Sequence, residues 1–321
     1  MTAGAAEITP VEAPRHGVSA TGLLWQRLCR KWLAMISLVV IVVIYGAGIF
    51  APIVAPYSYT AQNLDRGLEG PSADHWLGTD RLGRDMLSRV IYSARTTVVV
   101  TVTVILSGSL LLGNGLGLLS GYRGGWVDAV IMRAGDIFAG LPSLMMLILI
   151  NAAFSDRVKD GTRWVDENVF FIDGLTSSGA ASYLTVFGAL SLFFWVGTAR
   201  IIRAQVLQLR ERDFIMAAQA LGATPFRVIW RHLMPNVSNL IILSISVTLG
   251  GVAGSEIFLT WFGVGVQPPA ASFGAMIFDA GSVRTFQAHP HLLMVPAFFV
   301  TALLFAFALL GDALNDAVRG R

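Results

Sequence analysis

Residues 210–236 read RERDFIMAAQALGATPFRVIWRHLMPN, and the way this stretch folds decides how the rest of the chain must be arranged. It lies between two long apolar runs, so a chain that crosses a membrane on either side of it presents it as a loop on one face. Its pattern is nevertheless helical. Phe214, Ala217, Ala218 and Leu221 recur at helical spacing, and Gly222 stops the pattern where a C-cap belongs. Thr224 is placed to cap a second short helix with Pro225 at its first position, and Phe226, Ile229, Trp230 and Leu233 form its apolar face. Pro235 is expected to end that helix. Two short helices hinged at a glycine, the first rich in small residues, predict a rigid knob shaped for a groove on a partner.

Composition puts the knob on a membrane protein. Of 321 residues 55% are hydrophobic and 13% charged, about half the charge of a soluble domain. Cys29 is the sole cysteine, which excludes an internal disulfide and a cysteine-built zinc or iron–sulfur site. The first apolar run exceeds the roughly 7–15 residues of a signal-peptide core and reads as a retained span.

A helix needs about 20 apolar residues to cross the hydrocarbon. Six segments qualify, near 33–55, 97–120, 127–154, 183–203, 237–262 and 292–312, so the expected fold is an all-α integral membrane protein with six transmembrane helices. The second segment has no charged residue between Arg95 and Arg123, and Gly108, Gly113, Gly115 and Gly117 run through it, as expected where helices approach closely in lipid. The expected layout is a tail over 1–32, a membrane domain over 33–312 with the loop at 204–236, and a tail over 313–321. Residues 1–22 lack periodicity, and Leu23 to Trp32 reads as an amphipathic helix at the headgroups, with Trp25, Leu28 and Trp32 on one side.

Lys and Arg set the orientation. Arg200, Arg203, Arg210, Arg212, Arg227 and Arg231 flank or occupy the knob loop, whereas the loop before the last span carries Arg284 alone. The knob and both termini are therefore expected on the cytoplasmic side. Outside, His75 to Arg89 (HWLGTDRLGRDMLSR) reads as an amphipathic entry helix tied by local ion pairs, and 155–182 is a mixed insertion containing Trp164, Phe170 and Phe171.

Sequence signatures of catalysis are missing: no Gly-Lys pair for a phosphate loop, no HExxH, no GxSxG. His289 and His291 read as a turn beside Pro290 rather than a metal site. Charges inside spans default to function, which singles out Asp136 and Glu256 as candidate pathway residues. An Arg133–Asp136 pair one turn apart is the simpler account of the first. For Glu256, near the outer end of the fifth segment, lining a pathway and bonding to nearby backbone stay equally open. A DNA-reading helix-turn-helix would need an accessible helix with polar tips, and Phe226, Val228, Ile229 and Trp230 do not supply it.

The knob closely resembles the cytoplasmic EAA loop of ABC importer permeases, in which Glu-Ala-Ala is followed by Gly and a downstream Pro. Here the pattern is Met216-Ala217-Ala218, Gly222 and Pro235, with Met216 at the glutamate position and Asp213 and Glu211 upstream as alternative acids. LGTDRLGRDMLSR (77–89), GYRGGWVDAVIMRAGDIFAGLP (121–142), FGVGVQPPAASFGAMI (262–277) and LLGDALNDAVRGR at the end extend the resemblance over about 24–318, to the dipeptide/oligopeptide/nickel permeases of the second-subunit, OppC/DppC-like type. That resemblance implies a type I ABC importer transmembrane domain. It further implies a homologous second permease subunit, two ATP-binding subunits that hold the ATP and magnesium, an external solute-binding protein, and no cofactor or metal on this chain. Arg212, Asp213, Met216, Ala217, Ala218, Leu221, Gly222, Ala223 and Pro235 would form the ATPase-coupling surface. The implied role is import of peptides, or of nickel or another small polar solute, across a bacterial or archaeal cytoplasmic membrane, by a subunit that is not itself an enzyme. The rival readings are a secondary transporter, for which inverted repeats are expected, and a membrane enzyme, for which no acid, base or metal set is recognisable.

Overall fold

A computed structural model of the chain describes residues 20–170 and 180–319. The first 19 residues of the tail, and 171–179 of the 155–182 insertion with Phe171, lie outside the described residues. No strand occurs among those described, only an isolated bridge between Thr79 and Asp85. The helices are α1 (Ala20–Cys29), α2 (Trp32–Ile49), α3 (Met86–Arg123), α4 (Gly125–Gly140), α5 (Ser143–Val165), α6 (Ala180–Leu209), α7 (Asp213–Ala220), α8 (Pro225–Trp261), α9 (Phe273–Ala280), α10 (Val283–Ala288) and α11 (His291–Arg319). Among the described residues, α2, α3, α6, α8 and α11 are each long and apolar enough to span a membrane, and α4 with α5 makes a sixth if a pair bent by 96° is one span.

That bend corrects the continuous third segment expected over 127–154. Pro142 has no N–H to give a helix and disfavours helical geometry in the residue before it; Leu141 is accordingly extended, and Pro142 itself caps α5. The second segment starts at Met86 rather than near 97. Asp85 caps it by accepting from the Ser88 N–H at 2.7 Å. The expected amphipathic helix over 75–89 is therefore not one: all but its last turn is irregular chain, folded sharply at Gly78 (φ +80°) and Gly83 (φ +68°).

The knob's second helix is not a separate short element. Pro225 opens a rod that continues to Trp261, and Pro235 does not end it. A wide π-type turn over Ile229–Leu233, in which the Met234 N–H reaches the Ile229 carbonyl, brings Pro235 to the second position of the α-helical stretch that follows. Likewise α11 runs on to Arg319, so 313–319 is helix rather than tail. Against its end lies α1, held by Leu28 packed with Ala34 and Ala313, by an Arg27 Nη1 bond of 2.9 Å to the Ala317 carbonyl, and by a 2.7 Å Lys31–Asp316 ion pair. The helix ends at Cys29, so buried Leu28 and exposed Trp32 do not share a face.

In lipid the seams need close fit more than apolar area. Along α3, Gly113, Gly117 and Gly121 meet α6 so closely that a Cβ at Gly117 would stand 2.8 Å from the Ala199 carbonyl oxygen. Ser107 meets Ser191 at 2.7 Å and Ser109 meets Thr198 at 2.9 Å across this seam. The α3–α6 pair is thus one rigid unit. α6 runs from it directly into the 210–212 turn, at the end of the molecule that also holds α1 and the end of α11.

Candidate functional site

At that end α7 stands out from the bundle. Arg212 occupies its N-cap position, its carbonyl accepting from Ile215 at 2.9 Å and Met216 at 3.2 Å. The exit is a Schellman motif: the Gly222 N–H bonds the Gln219 carbonyl at 2.9 Å, and the Ala223 N–H bonds that of Ala218 at 3.0 Å, with Gly222 at φ +82°. Thr224 then caps the next helix, accepting from the Arg227 N–H. These parts match the pattern read from sequence. Its inward face does not, because the anchor is Ile215, fully buried with Val228 and Leu233 against Leu118, Ile202 and Val206. Sequence reasoning passes Ile215 over. Its signal is a β-branched apolar residue with Phe214 on one side and Met216 on the other.

The outward face is bare. Phe214, Met216 and Leu221 are exposed, Leu221 by 89%, with Phe226 and Trp230 beside them on α8. Asp213 and Ala217 are exposed, and Ala218 and Ala223 half-buried. Arg212 to Ala223 form one continuous surface; Pro235 belongs to α8 and is separated from it by more than two helical turns. Beneath, Asp128 of α4 accepts from Ser120 of α3 and from the Arg203 guanidinium of α6. The Arg210 guanidinium lies 3.4 Å from the Gly121 carbonyl. Those ties fix the base of the knob to three helices, and nothing in the local sequence pattern pairs Asp128 with Arg203.

A second feature is a cavity of about 920 Å³ walled by the α4–α5 corner, α6, α8 and α11. Phe138, Phe194, Phe258 and Phe307 line it, and Gly250, Gly251 and Gly254 bring the α8 backbone to its wall. Asp136 does not pair with Arg133 as expected. It accepts from Nη2 of Arg200 across to α6 at 2.7 Å, and Arg200 reaches the cavity wall; the α4 backbone turns Asp136 toward α6. Glu256 is fully buried and does not line this cavity: its carboxylate accepts from Thr97 at 3.0 Å and Thr260 at 3.2 Å, side-chain hydroxyls rather than backbone.

At the far end Asp80 binds the Leu82 and Arg84 N–H groups, Arg84 Nε at 2.6 Å and Arg89 Nη1 at 2.6 Å, while His75 Nδ1 lies 2.9 Å from Asp85. The ion pairs expected in 75–89 thus exist, but within a buried loop. His289 and His291 flank Pro290 where α10 passes into α11.

Membrane-spanning helices, an anchored apolar knob and a glycine-walled cavity define an integral membrane permease, and comparison with known proteins agrees. The family described as binding-protein-dependent transport system inner membrane component matches residues 113–321, and the N-terminal TM domain of oligopeptide transport permease C matches 19–71. The chain belongs to this family of ABC importer permeases. Within it the chain stands with the OppC/DppC branch. It is 35% identical to the dipeptide transport system permease protein DppC of Bacillus subtilis, over 95% of this chain and 87% of that one. To the oligopeptide transport system permease protein OppC of the same organism it is 36% identical, over 89% and 85%. The glutathione transport system permease protein GsiD of Pectobacterium atrosepticum is 30% identical, over 92% and 89%.

Proposed function

We propose that this chain is one of two permease subunits of a peptide importer, and that α7 is the joint through which two ATP-binding subunits move it. The bare apolar face of α7, standing on a buried Ile215 anchor and a rigid α3–α6 base, carries this reading. A monomer has no use for such a surface, and a groove on a motor subunit would cover it. The basic flank of the loop puts it in the cytoplasm with both termini, and the far-end loops then face an external solute-binding protein. ATP and magnesium belong to the motor subunits. This chain contributes no catalysis and no cofactor, and its domain order is that read from sequence, a tail, a membrane domain and a C-terminal end in which the last helix continues to Arg319. Arg212, Asp213, Met216, Ala217, Ala218, Leu221, Gly222 and Ala223 make the contact, with Asp213 and Glu211 supplying the acidic charge that Met216 lacks. Pro235 acts at a distance, from within α8 just beyond its π-type turn. Closure of the motor on ATP would swing the α3–α6 unit together with α8 and open the cavity alternately to each side.

Peptides are the substrate favoured by the names of the two B. subtilis relatives; nickel or another small polar solute is the alternative on the same architecture. The test is a proteoliposome holding the chain with the products of neighbouring reading frames, assayed for ATP-dependent uptake of labelled dipeptide and of nickel. In a Cys29→Ala background, Ala217→Cys should crosslink to an ATP-binding subunit. Crosslinking to lipid alone would remove the joint, and ion-driven uptake by the chain on its own would favour a secondary transporter.

A further inference from the structure

We propose that Arg200 and Asp312 form a two-sign exit from the cavity that receives the charged ends of a zwitterionic peptide; this rests on the peptide reading above. Both residues line the cavity, and a second recess on its α6–α11 side is lined by Asp312 and Gly197 as well. Elsewhere the main cavity's wall is aromatic, aliphatic or glycine, apart from Ser143 and Ser255. Such a wall passes side chains of many shapes but offers nothing to an ammonium or a carboxylate, and an ion leaving water for apolar surroundings needs a compensating partner. The two charges sit where that partner is needed. Asp312 lies one turn before Asp316, whose pair with Lys31 marks the start of α2. It is therefore just inside the span, at the end bearing the knob.

Their settings differ in a way that suits the task. Asp136 holds Arg200 through Nη2 alone, which leaves the other guanidinium donors for a carboxylate. Asp312 is exposed to the cavity with no ion-pair partner among the described residues. A structural ion pair would have joined them, or given Asp312 a cation of its own. The geometry instead keeps one anion on α11 and one cation on α6 available in the lining of one cavity, so that a peptide's ammonium meets Asp312 while its carboxylate meets Arg200. Asp136 is a positioning residue that aims the guanidinium.

The test uses the complete transporter in proteoliposomes at saturating loaded binding protein. Asp312→Asn and Arg200→Gln should each lower the maximal dipeptide uptake rate about tenfold, equivalent to about 1.4 kcal/mol. The concentration of binding protein giving half-maximal uptake and the basal ATP hydrolysis rate should not change. The charge-keeping variants Asp312→Glu and Arg200→Lys should recover most of the rate. Undiminished uptake in Asp312→Asn and Arg200→Gln would overturn the exit while leaving the peptide reading intact. The exit is equally overturned if Asp312→Glu and Arg200→Lys are as slow as the neutral variants, since the positions would then be serving shape. If the parent complex imports no peptide at all, the proposed function falls and the exit falls with it.

Discussion

The two ends of the molecule treat their polar and apolar groups in opposite ways. At the far end, the polar groups of residues 63–89 are paired within the loop, and Arg81, Arg84 and Arg89 reach Thr285 and Asp279 as well. Asp80 serves two backbone N–H groups and two guanidinium groups, and Thr79 accepts the Glu69 N–H while donating to the Arg66 carbonyl. Asp85 meanwhile takes His75 and both donors of Ser88. At the knob end, Met216, Leu221, Phe226 and Trp230 are turned out to solvent with nothing to cover them. The first region pairs its polar groups within the chain, and the second, if α7 is the joint proposed above, is half of a contact. A loop whose polar groups are paired within the chain is a platform, and one that leaves an apolar face exposed while anchoring its opposite face is shaped to serve as the proposed lever arm.

The comparison breaks most readily at Asp80. Its carboxylate and the Arg89 guanidinium are both nearly fully buried, and removing one partner of such a pair typically costs about 3–5 kcal/mol because the other is left stranded. Asp80→Ala should therefore melt the detergent-solubilised chain well below the parent. An unchanged melting temperature would mean that the far end is not held by this knot. A smaller loss is expected where the lever arm meets its base. Ile215→Ala empties a fully buried site among Leu118, Ile202 and Val206, for roughly 2–5 kcal/mol at a well-packed position and the lower part of that range on a two-turn helix. Faster proteolysis within 210–224, with the spans still protected, would report it. Gly117→Leu tests the seam under both. Its side chain has nowhere to go against the Ala199 carbonyl, and overpacking of this kind costs about 1–3 kcal/mol.

What the sequence made legible follows from where the physics was local. Apolar run length found every long span, and the αL glycine with its capping threonine located the α7 exit, because each depends on residues adjacent in the chain. The failures were places where a distant partner or a backbone constraint overrode a periodic pattern. Leu77, Leu82, Met86 and Leu87 among alternating charges look like one amphipathic helix, but Gly83 lies against the Asn63 backbone and Asp80 ties up the local N–H groups, so the chain is a loop up to Asp85 and helix begins only at Met86. Pro142 carried a plain signal, Gly-Leu-Pro in mid-run, that hydropathy averaging concealed. Pro235 misled in the other direction, since the π-type turn before it lets the helix continue. Partners separated by many residues, such as Asp136 with Arg200 or Asp128 with Arg203, were invisible, and for Asp136 a neighbour one turn away stood in the partner's place.

The gentlest test separates conformation from contact at the knob itself. Gly222 has φ +82°, and a Cβ there would meet nothing within 4 Å in this chain. Any loss on substitution must therefore come from the backbone or from whatever covers α7 from outside. Asn tolerates the left-handed conformation and a branched residue does not, a difference of about 1–2 kcal/mol. Gly222→Asn should leave the melting temperature of the isolated chain nearly unchanged, and Gly222→Val should lower it slightly. If the outer face is packed by a partner, both variants lose transport relative to ATP hydrolysis, because each adds bulk that holds the two surfaces apart. If the glycine serves only the turn, Asn transports normally and Val alone is impaired. Leu221→Ala provides the complement. With its side chain almost fully exposed, it should alter chain stability by no more than about 0.5 kcal/mol, so a fall in uptake per ATP hydrolysed would come from a lost contact between subunits and not from a weakened fold.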